Sequence, residues 1–208
     1  MNLPKLVVVG TGGHARSCID VIEQDGSFSI LGLIAELDAT HSETHGYPTL
    51  GTDDILISLI ETCQYAVIGI GQIKSSDLRV EIYKKLTQIG YQLPRIISPN
   101  AYVSHNAQIG KGTIVMHGAV VNAGAVIGQN CIINTRAVIE HDVIIGDNCH
   151  ISTGAIINGS SKIGSGSFIG SGTVIMQGVS VGINSVIGMG QFLRKSIGDH
   201  FQTKVNYD

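Results

Sequence analysis

The chain has 208 residues, which is enough for one large domain or two small ones. Its net charge of -3 and pI near 6.2 argue against a basic surface that binds nucleic acid or an anionic membrane. Charged residues are only 14% while glycines number 27, which favours a repeat with many tight turns. The sequence shows no membrane-length apolar run, no secretory signal and no zinc-ligand spacing among its four cysteines. We therefore expect a cytoplasmic enzyme or binding protein.

The first 96 residues alternate between predicted strands and helices. Predicted strands cover 5–9, 28–34 and 65–70, and predicted helices cover 14–24, 52–63 and 78–88. This alternation predicts a small Rossmann-like α/β domain with a parallel sheet and crossover helices. Pro94 and Pro99 mark a change of pattern, which predicts two domains, residues 1–96 and 97–208.

From Ile97 onward, an isoleucine or valine recurs at every sixth position. Its sixteen members are Ile97, Val103, Ile109, Val115, Val121, Ile127, Ile133, Ile139, Ile145, Ile151, Ile157, Ile163, Ile169, Ile175, Val181 and Ile187. A small or β-branched residue follows each of the first fifteen by four positions, and an Ile-Gly or Val-Gly pair recurs every 18 residues. Three hexapeptides therefore form one triangular coil, and successive coils stack by parallel strand pairing about 4.8 Å apart. The second domain is predicted to be an all-β parallel β-helix.

This repeat resembles the hexapeptide-repeat, left-handed β-helix proteins over nearly half of the chain. The handedness is implied by the resemblance alone, because the general rule for parallel crossovers favours the right-handed form. Proteins of this superfamily are usually homotrimers, and most are acyltransferases that use acetyl-CoA or an acyl carrier protein. Their active sites lie in grooves between neighbouring prisms. The resemblance thus implies a homotrimer with acetyl-CoA as co-substrate.

One charged triplet, Glu140-His141-Asp142, interrupts a region that is otherwise poor in charge. Its neighbours Ile139 and Val143 occupy inward positions, so we expect His141 to point outward. An adjacent carboxylate can fix one imidazole tautomer and raise the basicity of the other nitrogen. We interpret His141 as a general base that deprotonates an attacking amine or hydroxyl, with Asp142 as its activator.

The segment from Asn134 to Asp142, with His150 nine residues after His141, resembles the PglD/NeuD group of sugar acyltransferases. In that group an N-T-x-x-x-x-E-H-[DE] segment carries the catalytic histidine. The resemblance implies that His141 is the base, that Asp142 activates it and that His150 contacts acetyl-CoA. Asn134 is implied as a substrate contact. By position along the coils, three more residues would line the cofactor groove: Gly159, Ser171 and Gly188.

The histidines also allow structural interpretations. His150 could instead be a corner residue that packs against the next coil, and this alternative stays open. His105 and His117 have no carboxylate beside them in the sequence, so a structural role is expected for both. Zinc-binding β-helix proteins, the γ-class carbonic anhydrases, carry two histidines five apart on one chain. This chain has no such pair, and no metal site is expected.

The glycine-rich segment from Gly10 to Ala15 matches the dinucleotide pattern G-x-G-x-x-[GA] between a strand and a helix. Glu36 lies about where a ribose-binding acid would sit. A dinucleotide fold normally needs a second mononucleotide-binding half, for which this region is too short. A glycine turn at a helix N-terminus binds a phosphate group whichever compound carries it. A nucleotide diphosphate-sugar therefore fits this short region better than NAD. A tight turn without a ligand is the alternative.

A G-x-x-G-H segment also opens the PglD/NeuD group, whose first domain holds a UDP-sugar in some members. The resemblance therefore implies substrate contacts from Gly12, Gly13, His14, Ala35, Glu36 and Gly71. The chain departs from relatives that carry paired aspartates at the positions of Ala35 and Glu36.

These observations predict an acetyltransferase that moves acetyl from acetyl-CoA to the amino group of a UDP-linked amino sugar in bacterial surface-glycan biosynthesis. One alternative is O-acetylation of a sialic-acid-like or polysaccharide sugar, because a hydroxyl needs the same base. A second alternative is a non-catalytic, trimeric scaffold that binds a nucleotide-sugar. We expect neither nucleic acid nor membrane insertion among its interactions.

Overall fold

A computed structural model describes residues 3–35 and 46–203. Its N-terminal region contains one parallel sheet in the order β3-β2-β1-β4. The strands are β1 (Lys5–Val9), β2 (Ser29–Ile34), β3 (Thr49–Gly51) and β4 (Tyr65–Ile68). The helices are α1 (Gly13–Asp25), α2 (Leu56–Leu59) and α3 (Asp77–Ile89), and a 3₁₀ helix (Asp53–Ile55) precedes α2. No helix in the described ranges is both long enough and apolar enough to span a membrane.

Two elements of this region differ from the prediction. The helix expected over 52–63 is reduced to the 3₁₀ helix and α2. Isoleucines at 55, 57 and 60 lower the helix propensity of this segment because their branched Cβ atoms lose rotamer freedom. Strand β3 was not predicted, since three residues are too few to show an alternating pattern.

The remainder of the described chain forms seventeen two-residue strands in three parallel sheets, which are the faces of a triangular prism. The docked face consists of β5 (Ile96–Ile97), β8 (Ile114–Val115), β11 (Ile132–Ile133), β14 (His150–Ile151), β17 (Phe168–Ile169) and β20 (Val186–Ile187). The open face consists of β6 (Tyr102–Val103), β9 (Val120–Val121), β12 (Val138–Ile139), β15 (Ile156–Ile157), β18 (Val174–Ile175) and β21 (Phe192–Leu193). The mixed face consists of β7 (Gln108–Ile109), β10 (Val126–Ile127), β13 (Ile144–Ile145), β16 (Lys162–Ile163) and β19 (Ser180–Val181).

The second residue of each strand points into the prism, as the six-residue period predicts. Residues such as Ile133, Ile139 and Ile151 are completely buried there, and burying each contributes about 1.5–3 kcal/mol. The small residues four positions on are also inside. Thr173 shows why they can be polar, because its Oγ1 donates a hydrogen bond to the carbonyl of Gly188 at 2.7 Å. The interior therefore fixes the prism and leaves the outward residues for other roles.

The N-terminal region packs on the docked face through an apolar contact. Ile114 and Ile132, which point outward from that face, are 2% and 0% exposed and share a core with Ile19 and Ile22 of α1. His117 adds a polar connection at the edge of this contact: its Nε2 lies 2.7 Å from Asp20 Oδ2 of α1, and its Nδ1 lies 2.6 Å from Ser98 Oγ. This contact brings the carboxyl ends of β1 and β4 close to the coils.

Candidate active site

The pair His141 and Asp142 occupies the corner between the open and mixed faces, directly after β12. His141 Nδ1 lies 2.9 Å from Asp142 Oδ2, and the two side chains are 54% and 67% exposed. An ionised carboxylate can only accept hydrogen bonds. In the neutral imidazole, Nδ1 therefore carries the hydrogen. The lone pair is then on Nε2, which is the arrangement that a general base requires.

Two glycines in the adjacent coils make room for this pair. A Cβ on Gly159, 18 residues after His141, would lie 2.5 Å from His141 Nε2. A Cβ on Gly124, 18 residues before Asp142, would overlap Asp142 Oδ1. Asp142 itself has a φ of 59°, a left-handed corner conformation that aspartate and asparagine adopt more readily than most residues. Gly159 is a predicted residue of the cofactor groove, whereas Gly124 was not predicted, although the 18-residue period places both glycines next to the pair.

His150 lies between the docked face and the N-terminal region, where it is 6% exposed. Its Nδ1 donates to the carbonyl of Gln72 at 2.7 Å, so its Nε2 accepts from Asn134 Nδ2 at 3.0 Å. Asn134 is oriented by its own Oδ1, which accepts from the backbone N–H of Thr135. Burial lowers the pKa of His150 from 6.5 to about 4, against a smaller opposing effect of the Gln72 carbonyl. Both ring nitrogens thus have partners within this chain, and a contact of His150 or Asn134 with acetyl-CoA or substrate stays a prediction.

His14 lies at the start of α1 and faces the same junction. Its ring centroid is 6.5 Å from that of His150, and its buried Nε2 has no hydrogen-bond partner among the described residues. Burial, then the charges of Arg79 and His150, lower the pKa of His14 to about 3, so the ring is neutral near pH 7. A Cβ on Gly71 would lie 3.7 Å from the His14 side chain, which places these two predicted substrate contacts together.

Arg79 of α3 is a junction residue that sequence analysis missed. It is 1% exposed, and its Nη1 donates to the carbonyls of Ile68 and Ile70, each at 2.8 Å. Its Nε donates to the carbonyl of Asn130 in the β-helix at 3.3 Å. Burial lowers its pKa to about 10, so the guanidinium remains charged near neutral pH. Arg79 therefore links the ends of the sheet to the coils and contributes positive charge beside His14.

A cavity of about 790 Å³ opens at the carboxyl ends of the four parallel strands, where ligands of open α/β sheets bind. Of the predicted substrate contacts, Gly12 and Ala35 line it. A Cβ on Gly12 or Gly13 would meet nothing within 4 Å, which leaves space for a ligand at the start of α1. The predicted contact Glu36 lies outside the described residues.

Apart from His150 on the docked face, the predicted residues of the β-helix fall on two edges of the open face. His141, Asp142 and Gly159 lie at its edge with the mixed face. At its other edge, with the docked face, lie Asn134, Ser171 and Gly188. One chain therefore does not bring all of them together. Among residues 3–35 and 46–203, no group of three or more histidine, cysteine or acidic side chains could hold a metal ion.

Comparisons with known proteins agree with this architecture. Family models match at residues 5–86 (PglD N-terminal domain), 124–159 (bacterial transferase hexapeptide, six repeats) and 162–195 (hexapeptide repeat of succinyl-transferase). A search of curated proteins finds no significant match.

Solved structures resemble the chain over nearly its whole length. The acetyltransferase domain of PglB from Neisseria gonorrhoeae FA1090, in complex with acetyl coenzyme A, is 32% identical, with 99% of this chain and 98% of that chain covered and a TM-score of 0.89. A histidine-to-asparagine mutant of perosamine N-acetyltransferase from Caulobacter crescentus, in complex with CoA and GDP-perosamine, is 28% identical, with coverages of 98% and 97% and a TM-score of 0.91. WeeI from Acinetobacter baumannii AYE, 22% identical with 98% of both chains covered and a TM-score of 0.83, supports the fold alone.

The combination of an α/β region with a triangular β-helix defines the class of hexapeptide-repeat acyltransferases. The chain belongs to the PglD-type sugar acetyltransferases of that superfamily. The predicted fold class is thereby confirmed, including the left-handed coil that the resemblance implied.

Proposed function

We propose that the protein is an acetyl-CoA-dependent N-acetyltransferase that acts on a nucleotide-linked amino sugar in glycan biosynthesis. The observation that carries this proposal is the His141–Asp142 pair, whose carboxylate leaves the lone pair of the neutral imidazole on Nε2 of a side chain that is 54% exposed. Membership of the family supports it, as do the ligands of the relatives: acetyl coenzyme A in the Neisseria structure, and CoA with GDP-perosamine in the Caulobacter structure. A mutated histidine in that Caulobacter complex fits a catalytic histidine.

In the proposed reaction, the neutral sugar amine attacks the thioester carbonyl carbon and forms the C–N bond. His141 Nε2 takes the proton that the amine loses, and Asp142 stabilises the resulting imidazolium. Backbone N–H groups of a neighbouring coil stabilise the oxyanion. The tetrahedral intermediate then collapses, the C–S bond breaks, and the proton passes from His141 to the CoA thiolate.

We further propose that the protein is a homotrimer whose active site is shared between copies. The outward residues of the open face are Tyr102, Val120, Val138, Ile156, Val174 and Phe192, so the whole column is apolar. Its two end members are 58% and 54% exposed in the single chain. A contiguous apolar column at the surface is typical of an interaction site. A second copy that packs on the open face would bring the edge between its own docked and open faces close to His141. That edge carries Ser171 and Gly188.

The remaining assignments belong to the same proposal. We assign His150, Gly159, Ser171 and Gly188 to the acetyl-CoA groove. The nucleotide-sugar is assigned to Gly12, Gly13, His14, Ala35, Glu36, Gly71 and Asn134. The four cysteines are buried and unpaired, which favours a cytoplasmic location.

The test is an acetyl-transfer assay that follows free thiol release from acetyl-CoA, with UDP- and GDP-linked 4-amino sugars and a sialic acid as acceptors. We expect amino-sugar acetylation, and a decrease in kcat of about 10²–10⁴-fold for His141→Asn, which removes the base. His105→Asn is the matched control, because His105 is exposed in the same corner column two coils away and has no carboxylate partner among the described residues. Undiminished kcat in His141→Asn would contradict the proposed base, and acetylation of the sialic acid alone would support the O-acetyltransferase alternative.

A further inference from the structure

The cavity at the carboxyl ends of the strands has apolar walls that can pack against the faces of a flat ring. Val9 and Ile34 end two neighbouring strands, and Leu78 and Ile82 of α3 face the same space. Leu78 is 51% exposed in the described structure although it is a large apolar residue, so a bound ring would cover it. Gly12 of the glycine-rich segment lines the same cavity, so a phosphate at the start of α1 and a base against α3 can belong to one ligand.

One ion pair at the rim of this cavity offers both hydrogen-bond donors and acceptors. Lys85 Nζ of α3 lies 2.9 Å from Asp53 Oδ2 of the 3₁₀ helix, and each side chain is 44% exposed. Both residues line the cavity. The pair uses one of the three ammonium hydrogens and one carboxylate oxygen, which leaves further donors and acceptors for a ligand. Asp54, which also lines the cavity, differs because its carboxylate accepts from the hydroxyl of Thr52.

The nucleobases differ in what they present to such a pair. The Watson–Crick edge of guanine presents one acceptor, O6, followed by two adjacent donors, N1–H and N2–H. An ammonium beside a carboxylate supplies the complementary donor and two acceptors. The edge of uracil presents its single donor, N3–H, between two carbonyl oxygens, and a carboxylate repels at least one of these. Adenine and cytosine present no two adjacent donors on this edge.

We propose that Asp53 and Lys85 read the base of the nucleotide-linked substrate and that they select guanine over uracil. Asp53 accepts from N1–H and N2–H, Lys85 donates to O6, and the apolar walls contact the faces of the ring. This inference rests on the proposed function, because it assigns the nucleotide of the same substrate. It differs from the UDP-sugar that the sequence resemblance implied.

Calorimetric titration of the full-length protein with GDP, UDP, ADP and CDP tests this assignment without any acetyl transfer. We expect GDP to bind about tenfold more tightly than UDP, since one good bidentate contact discriminates bases by about five- to 150-fold. Asp53→Asn replaces one acceptor by a donor, so it should weaken GDP by about tenfold and leave UDP within about threefold. Glu61→Gln is the matched control: it removes an exposed carboxylate that does not line the cavity and should change neither affinity.

Equal affinities for GDP and UDP, or a preference for UDP, would overturn the guanine assignment and leave the proposed function in place. The assignment also fails if Asp53→Asn weakens UDP as much as GDP, because the residue then supports the cavity without reading the base. If no nucleoside diphosphate binds while acetyl transfer to a free amino sugar proceeds, both the guanine assignment and the nucleotide-linked acceptor are wrong.

Discussion

The docked and open faces of the prism come from the same repeat but have different surroundings. Both faces carry apolar residues that point outward. In both, the inward residue of almost every strand is isoleucine or valine. On the docked face Ile114 and Ile132 are almost completely covered by the N-terminal region, whereas Tyr102 and Phe192 on the open face are more than half exposed. The docked face also carries His150, which is polar and hydrogen-bonded, while the open face is apolar throughout and has His141 at its edge. The repeat therefore determines the scaffold. The two faces differ in whether the N-terminal region buries their outward residues.

The largest expected effect comes from a charge on the docked face. Ile132→Asp places a carboxylate at a position that is 0% exposed, inside the apolar cluster that joins the docked face to α1. We expect the free energy of unfolding to decrease by about 4 kcal/mol or more, because burying an unpaired charge is among the most destabilising substitutions. Urea unfolding measures this loss. A stability within about 1 kcal/mol of wild type would show that the N-terminal region does not seal this face.

An equivalent substitution on the open face is expected to disrupt assembly of the trimer. Val138→Asp changes the residue that occupies the equivalent outward position of the next strand, where the single chain leaves it partly exposed. We expect a folded monomer in place of a trimer, with acetyl transfer lost because the shared site is incomplete. Sedimentation velocity and far-UV circular dichroism together measure assembly and folding. A Val138→Asp protein that remains trimeric would mean that the open face is not the interface.

A smaller effect concerns pH and the buried histidine of the docked face. The pKa of His150 is about 4 in the folded protein and 6.5 ordinarily, so the unfolded chain binds the proton more readily. Stability is therefore lost as pH falls from about 6.5 towards 4, and His150 accounts for about 2 kcal/mol of the loss between neutral pH and pH 5. His150→Gln, which cannot titrate, should unfold with a shallower pH dependence over that range. An unchanged slope would show that folding does not lower the pKa of His150.

The sequence predicted the prism and the outward position of His141 because both follow from a local, periodic pattern. The inward ladder repeats every six residues, and Glu140-His141-Asp142 is conspicuous in a segment with few charges. The predicted α/β region was also correct, except for the length of α2 and the short strand β3.

Contacts between distant segments could not be predicted in this way. Arg79 reaches Asn130, 51 positions along the chain, and its role follows only from how the two regions pack. The Asp53–Lys85 pair likewise joins residues 32 apart through the approach of α3 to the end of β3. Sequence spacing alone does not reveal which polar side chains meet across such contacts, because no periodic pattern encodes them.

We propose that one copy supplies His141 and that its neighbour supplies the opposite edge of the open face. Subunit complementation tests this arrangement: His141→Asn is co-expressed with Ser171→Trp, which is designed to block the proposed cofactor edge, and acetyl transfer by the mixed trimers is measured. Each variant alone should be inactive. If the site is shared, random mixing in equal amounts restores both intact halves to about a quarter of the sites, and activity returns to about that fraction of wild type. If the mixture stays as inactive as its components, the site lies within a single chain and the claim is contradicted.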